Sequence, residues 1–227
     1  MEKPVLVFDY DGTIHNTILI YEKAFRRCYA WLVEEGYTKE QQISRERIAG
    51  WLGMNSRDMW NTFLPRLPER VKEAAGARIG RAMVEQIRGH QARWYPGAEE
   101  MLDQLKAEGY PMVILSNCKI AYRQANWLEF AMEQWFSAFF DCESFGFRPK
   151  TEIIREVQKE FALPFIVIGD RRSDLDCALA CKSPFIGCRY GFGEEGELEG
   201  ADLIADSVTE LPELIHRQSP ARAAHRQ

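Results

Sequence analysis

Two aspartates one residue apart, Asp9 and Asp11, end an apolar run, Val5-Leu6-Val7-Phe8, and are followed by Gly12 and Thr13. Carboxylates this close at the end of a buried segment repel each other. Both stay ionised only if water or a cation compensates them. The spacing therefore suggests a bound divalent metal, held by hard oxygen ligands. An ordinary Asp-Gly turn after a strand has the same local signature, so the rest of the chain must decide. Two further apolar runs end in groups of matching kind. Met112-Val113-Ile114-Leu115 leads to Ser116 and Asn117, and Phe165-Ile166-Val167-Ile168 leads to Gly169 and Asp170, with Asp174 four residues on. Asp174 falls on the turn entering a helix, able to face the crevice of Asp170, although a helix-dipole carboxylate would sit there too. Three matched segment ends make coincidence a poor account.

The runs that carry these residues are short, β-branched and aromatic, the pattern of strands buried on both faces. From Gly97 onward they alternate with helical segments. Helices are expected over 98–108, 119–130, 151–161, 172–181 and 211–217, and strands or extended segments over 112–115, 139–142, 165–168, 184–188 and 201–205. Alternation of this kind predicts an α/β fold with a parallel, doubly wound sheet, whose ligands sit at the strand C-termini. Between the first strand and Tyr95-Pro96-Gly97 the pattern is helical instead. Asn16 can cap a helix to about residue 35, and further helices are expected over 40–52, 56–63 and 69–93. The domain expectation is a core of 1–14 and 94–217, a helical cap of 15–93, and a flexible tail of 218–227.

Composition narrows the partners. A net charge of −5 over 227 residues leaves no electrostatic footprint for nucleic acid. No apolar stretch approaches the roughly 20 residues a membrane span needs, and the chain enters its first strand too early for a signal peptide. The six cysteines include no CxxC pair and read as reduced thiols of a cytoplasmic protein rather than zinc ligands.

Together the three motifs, Asp9-Tyr10-Asp11-Gly12-Thr13, Leu115-Ser116-Asn117 and Gly169-Asp170 through Asp174, resemble those of the haloacid dehalogenase-like superfamily of phosphohydrolases. The segment Tyr95 to Tyr110 resembles the family's return into its Rossmann-like core. The helical insertion is placed like the cap of phosphoglycolate phosphatase-like and β-phosphoglucomutase-like members. The resemblance implies Asp9 as nucleophile, forming an aspartyl-phosphate, and Asp11 as the acid and base that serves leaving group and water. It also implies Mg²⁺ on Asp9, the Asp11 carbonyl and Asp170, with Asp174 in support. Gly12, Thr13, Ser116 and Asn117 would hold phosphoryl oxygens.

The third motif departs from the family pattern of Lys followed by Pro. Here the stretch is Gly146-Phe147-Arg148-Pro149-Lys150, and alignment on the proline favours Arg148 as the phosphate-stabilising cation, with Lys150 second. In the cap, Asn55, Ser56 and Arg57 resemble the turn that faces the site and sets substrate choice, although an ordinary helix–helix turn is an equal description. The expected function is Mg²⁺-dependent hydrolysis of a small phosphorylated metabolite, by a monomer or homodimer. A phosphomutase and a non-catalytic phosphate-binding module are the alternatives.

Overall fold

The computed structural model describes residues 2–54, 56–161 and 163–218. Its core is a six-stranded, all-parallel sheet built from β1 (Val5–Phe8), β2 (Met112–Ser116), β3 (Ala138–Asp141), β4 (Phe165–Gly169), β5 (Phe185–Cys188) and β6 (Leu203–Ala205), in the order β3-β2-β1-β4-β5-β6. Side chains alternate across the central strand. Leu6 and Phe8 join one apolar cluster and Val5 and Val7 another, so both faces are covered. That double burial explains why the strands read as unbroken apolar runs rather than as alternating ones. The chain proceeds from β1 outward through β2 and β3, then returns to β4 on the other side of β1. A crevice must open between β1 and β4 where the direction reverses, the usual ligand position in such sheets.

Among the described residues, four helices intervene between β1 and the rest of the core: α1 (Ile18–Glu34), α2 (Arg45–Ala49), α3 (Ser56–Phe63) and α4 (Glu69–Arg88). Their apolar faces close around an aromatic cluster. Trp51 lies 5.0 Å from Phe25 and 4.7 Å from Phe63 between ring centroids, and Trp60 is fully buried. These rings pack the cap. The segments leaving and re-entering the core run side by side, with Asn16 N–H donating to the Arg93 carbonyl at 3.0 Å and Tyr95 N–H to the Ile14 carbonyl at 2.9 Å.

Beyond the cap come α5 (Ala98–Ala107), α6 (Ile120–Glu129), α7 (Lys150–Glu160), α8 (Arg172–Ala180) and α9 (Leu211–Gln218). Three expectations need correction, the first being the helix expected over 69–93, which ends at Arg88 with Gly89 as its C-cap. Thr17, not Asn16, precedes α1 as its cap residue, and its hydroxyl is turned to Asp11 instead of the helix. The helix expected over 40–52 shrinks to α2, because Ser44 caps it by accepting from Arg47 N–H and Gly50 ends it. Of the expected tail, Gln218 completes α9 and the remainder lies outside the described residues.

Candidate active site

The C-terminal ends of β1 and β4 place Asp9 and Asp170 side by side at the switch in strand order, and the first turn of α8 adds Asp174. All three are buried, and one carboxylate oxygen from each lies within 4.8 Å of the others. Three buried carboxylates cannot all stay ionised without compensating charge. One cation is supplied by the protein. Lys150, at the start of α7, sets its ammonium 2.5 Å from Asp9 Oδ1 and 2.7 Å from Asp174 Oδ1.

The remaining imbalance registers in the acidities. Burial pushes the Asp9 carboxyl up to about 7, against the pull of Lys150 and with a further push from Asp174. Burial, reinforced by Asp9 and Asp174, drives Asp170 well above the ordinary carboxylate range. For Lys150 burial works against the charge, but Asp174 and Asp9 outweigh it and raise the pKa. Asp170 Oδ2 accepts from Phe192 N–H at 2.6 Å, whereas its Oδ1 is buried without a partner among the described residues. Thr13 Oγ1 is orphaned in the same way. Buried polar atoms are rarely left unbonded. An acidic, oxygen-only cluster with an orphaned carboxylate oxygen fits a hard divalent cation.

Asp174 is fixed from both sides: Oδ1 receives Lys150, and Oδ2 receives the Arg171 N–H at 3.0 Å. It therefore acts as a helix-entry carboxylate and as part of the cluster at once. Gly12 has φ +90°, and a Cβ there would run into the Asp170 carboxylate. Its N–H donates to the His15 carbonyl at 3.0 Å, and the missing side chain lets Asp170 approach. Ser116 is buried at the end of β2, with the half-buried Asn117 following it.

Arg148 does not join the cluster. Its guanidinium forks onto Glu156 at 2.7 and 3.1 Å on the protein surface. The proline alignment favours Arg148, but the chain enters α7 directly after Pro149, and that turn carries the next residue, Lys150, inward to the cluster.

Within the cap, Ser56 and Arg57 are exposed and Asn55 lies outside the described residues. The Ser56 hydroxyl sits over Gly76 of α4, so Ser56 packs within the cap. The cap does reach the core through Arg171, a contact that the sequence does not announce. The Arg171 guanidinium bonds the Leu52 carbonyl, lies against Gly53, and pairs with Glu197 at 2.9 Å. Its only sequence signal is its place beside Asp170. Tyr122 of α6 is likewise unanticipated; its hydroxyl donates to Asp11 Oδ1 at 2.6 Å.

Comparison with known proteins agrees with this geometry. Residues 6–188 match the model of the family described as haloacid dehalogenase-like hydrolase. A 5'-nucleotidase of Pseudomonas aeruginosa is 30% identical over 226 residues, covering 89% of this chain and 93% of that one. A phosphoglycolate phosphatase of Vibrio parahaemolyticus is 21% identical over 224 residues, covering 93% and 95%. Among solved structures, a predicted phosphatase from Clostridium acetobutylicum superposes with a TM-score of 0.81 at 22% identity, covering 96% of this chain and 100% of that one. CbbY from Rhodobacter sphaeroides, crystallised with phosphate, superposes with a TM-score of 0.76 at 18% identity, covering 92% and 96%. This chain belongs to the haloacid dehalogenase-like hydrolase family, as an enzyme whose buried aspartates serve phosphoryl chemistry.

Proposed function

We propose that the protein is a Mg²⁺-dependent phosphatase of small phosphorylated metabolites, with residues 15–93 forming the cap over a core of 1–14 and 94–217. One observation carries the proposal: Asp9 stands at the crevice between β1 and β4 with Lys150 on one oxygen and Asp170 and Asp174 beside it. Asp9, the Asp11 carbonyl and Asp170 would hold the metal, with Asp174 supporting them. A Mg²⁺ held there would supply positive charge to the site and favour the ionised form of Asp9.

The protein's own groups then do the rest. An oxygen of Asp9 attacks phosphorus, and the bond to the leaving oxygen breaks as that oxygen takes a proton from Asp11. A water then gives its proton to Asp11 as its oxygen displaces Asp9. Lys150 holds Asp9 in orientation and offsets charge on the transferring group. Ser116, Asn117 and Thr13 are donors for the phosphoryl oxygens; the orphaned Thr13 hydroxyl supports that role. The intact Asp9–Asp11 pair weighs against a non-catalytic module. Six free, buried cysteines support a cytoplasmic location, and no helix among the described residues is long and apolar enough to cross a membrane.

The relatives suggest two substrate classes, phosphoglycolate and nucleoside monophosphates. Phosphate release should be measured from p-nitrophenyl phosphate, phosphoglycolate, nucleotides and sugar phosphates, with Mg²⁺, with EDTA and with Asp9→Asn. Metal-dependent release abolished by Asp9→Asn is the expected result. Absence of release from every substrate by a folded, metal-binding protein would overturn the proposal, and phosphoryl transfer between sugar hydroxyls would identify a mutase instead.

A further inference from the structure

Asp11 is gripped on a single oxygen. Its Oδ1 accepts from Thr17 Oγ1 at 2.5 Å and from Tyr122 OH at 2.6 Å, and lies 3.2 Å from His15 Nδ1. Among the described residues these donors all fall on Oδ1.

The protons of this cluster can be assigned. His15 Nδ1 lies 2.9 Å from Tyr122 OH and 3.0 Å from Thr17 Oγ1. Each hydroxyl has one hydrogen: that of Tyr122 is directed at Asp11, and that of Thr17 at Asp11 or at the His15 carbonyl, 3.2 Å away. Three oxygens therefore surround Nδ1 with no hydrogen left to offer it, so Nδ1 must carry its own. Nε2, buried and without a partner among the described residues, is then the bare nitrogen.

The clamp is braced from behind. Trp94 Nε1 donates to Tyr10 OH at 3.1 Å, Tyr10 donates to Asn126 Oδ1 at 2.9 Å, and Asn126 Nδ2 donates to the Tyr122 carbonyl at 3.0 Å. Tyr122 and Asn126 lie one turn apart on α6, so this chain of bonds ties that helix to the first motif. A carboxylate free to spin about its terminal torsion offers either oxygen in many orientations. Held at Oδ1, it offers Oδ2 in one.

We propose that Tyr122 and His15 are positioning residues for Asp11, presenting its Oδ2 to the leaving oxygen, which takes a proton from it, and then to the water that returns one. This rests on the phosphatase assignment above. Tyr122→Phe removes one oxygen and keeps the ring, and a melting curve checks its fold. The informative quantity is kcat/KM, which reports through departure of the leaving group, on two substrates. The phenolate of p-nitrophenyl phosphate leaves without a proton; the alkoxide of the best alkyl phosphate in the panel needs one.

Tyr122→Phe and His15→Leu are each expected to lose about tenfold or more on the alkyl phosphate, and at least about fivefold less on the aryl one. Equal losses on both substrates, or none on either, would overturn the proposal. A wild-type protein that turns over neither substrate with Mg²⁺ counts instead against the phosphatase assignment. The clamp is then decided by long-range ¹H–¹⁵N spectra of His15: a protonated Nδ1 supports it and a protonated Nε2 overturns it.

Discussion

The Lys150 ammonium lies 2.5 Å from Asp9 Oδ1, both groups buried, although 141 residues separate them in the chain. A buried ion pair that also touches Asp174 makes a directed cation at the place where phosphoryl charge would develop. Lys150→Met is therefore expected to reduce kcat on p-nitrophenyl phosphate by about 10²-fold. Arg148→Met, which removes only a surface pair with Glu156, should stay within about twofold of wild type. Steady-state kinetics of the two variants decide the matter, and a reversed order would reinstate Arg148.

The raised pKa values of Asp9 and Asp170 give metal binding a pH signature. In the metal-free protein burial pushes the Asp9 carboxyl up to about 7 from an ordinary 3.8. Across that interval the folded state binds more protons than the unfolded one, so this site's contribution to stability is full below the ordinary value and is lost as pH rises through the folded one. A divalent cation must displace those protons to bind. The Mg²⁺-induced rise in Tm should accordingly be larger at about pH 8 than at about pH 5. Thermal scans with and without EDTA test this; an equal or smaller rise at the higher pH would contradict the cluster as the binding site.

Gly12 is the close-approach point of the site. Its φ of +90° disfavours any Cβ, and the space where one would go is filled by the Asp170 carboxylate and Phe192. Gly12→Ala should destabilise the protein by roughly 1–3 kcal/mol in urea unfolding and blunt the Mg²⁺-dependent rise in Tm. A variant with wild-type stability and metal response would show that the turn relaxes freely.

Arg171 joins the cap to the loop that carries Asp170. It bonds the Leu52 carbonyl and pairs with Glu197, whose pKa burial raises but which bonds from Arg172 and Glu194 N–H and from Arg171 bring below its ordinary value. Arg171→Gln should loosen the seam by about 1–3 kcal/mol. Hydrogen exchange at Leu52 and Gly53 should then quicken more than exchange in β1 or β4. Unchanged exchange at these two residues would mean that Arg171 does not hold the cap.

The sequence by itself determined the sheet, the inserted helices and the carboxylates. Strands buried on both faces must be apolar throughout, and the residues that end them, Asp9, Ser116 and Asp170, stand at the strand ends wherever the strands go. It also carried the family resemblance, because that rests on local motifs. What it left undecided depends on contacts between residues far apart in the chain. Arg148 and Lys150 differ by two positions, and only the entry into α7 decides which cation turns inward. Tyr122 looks like any helical tyrosine until α6 packs beside the first motif and brings its hydroxyl to Asp11. Arg171 looks like a surface charge until the cap lays Leu52 against it. Side-chain type and strand ends are local properties of the chain; the partner of a buried charge is chosen by packing.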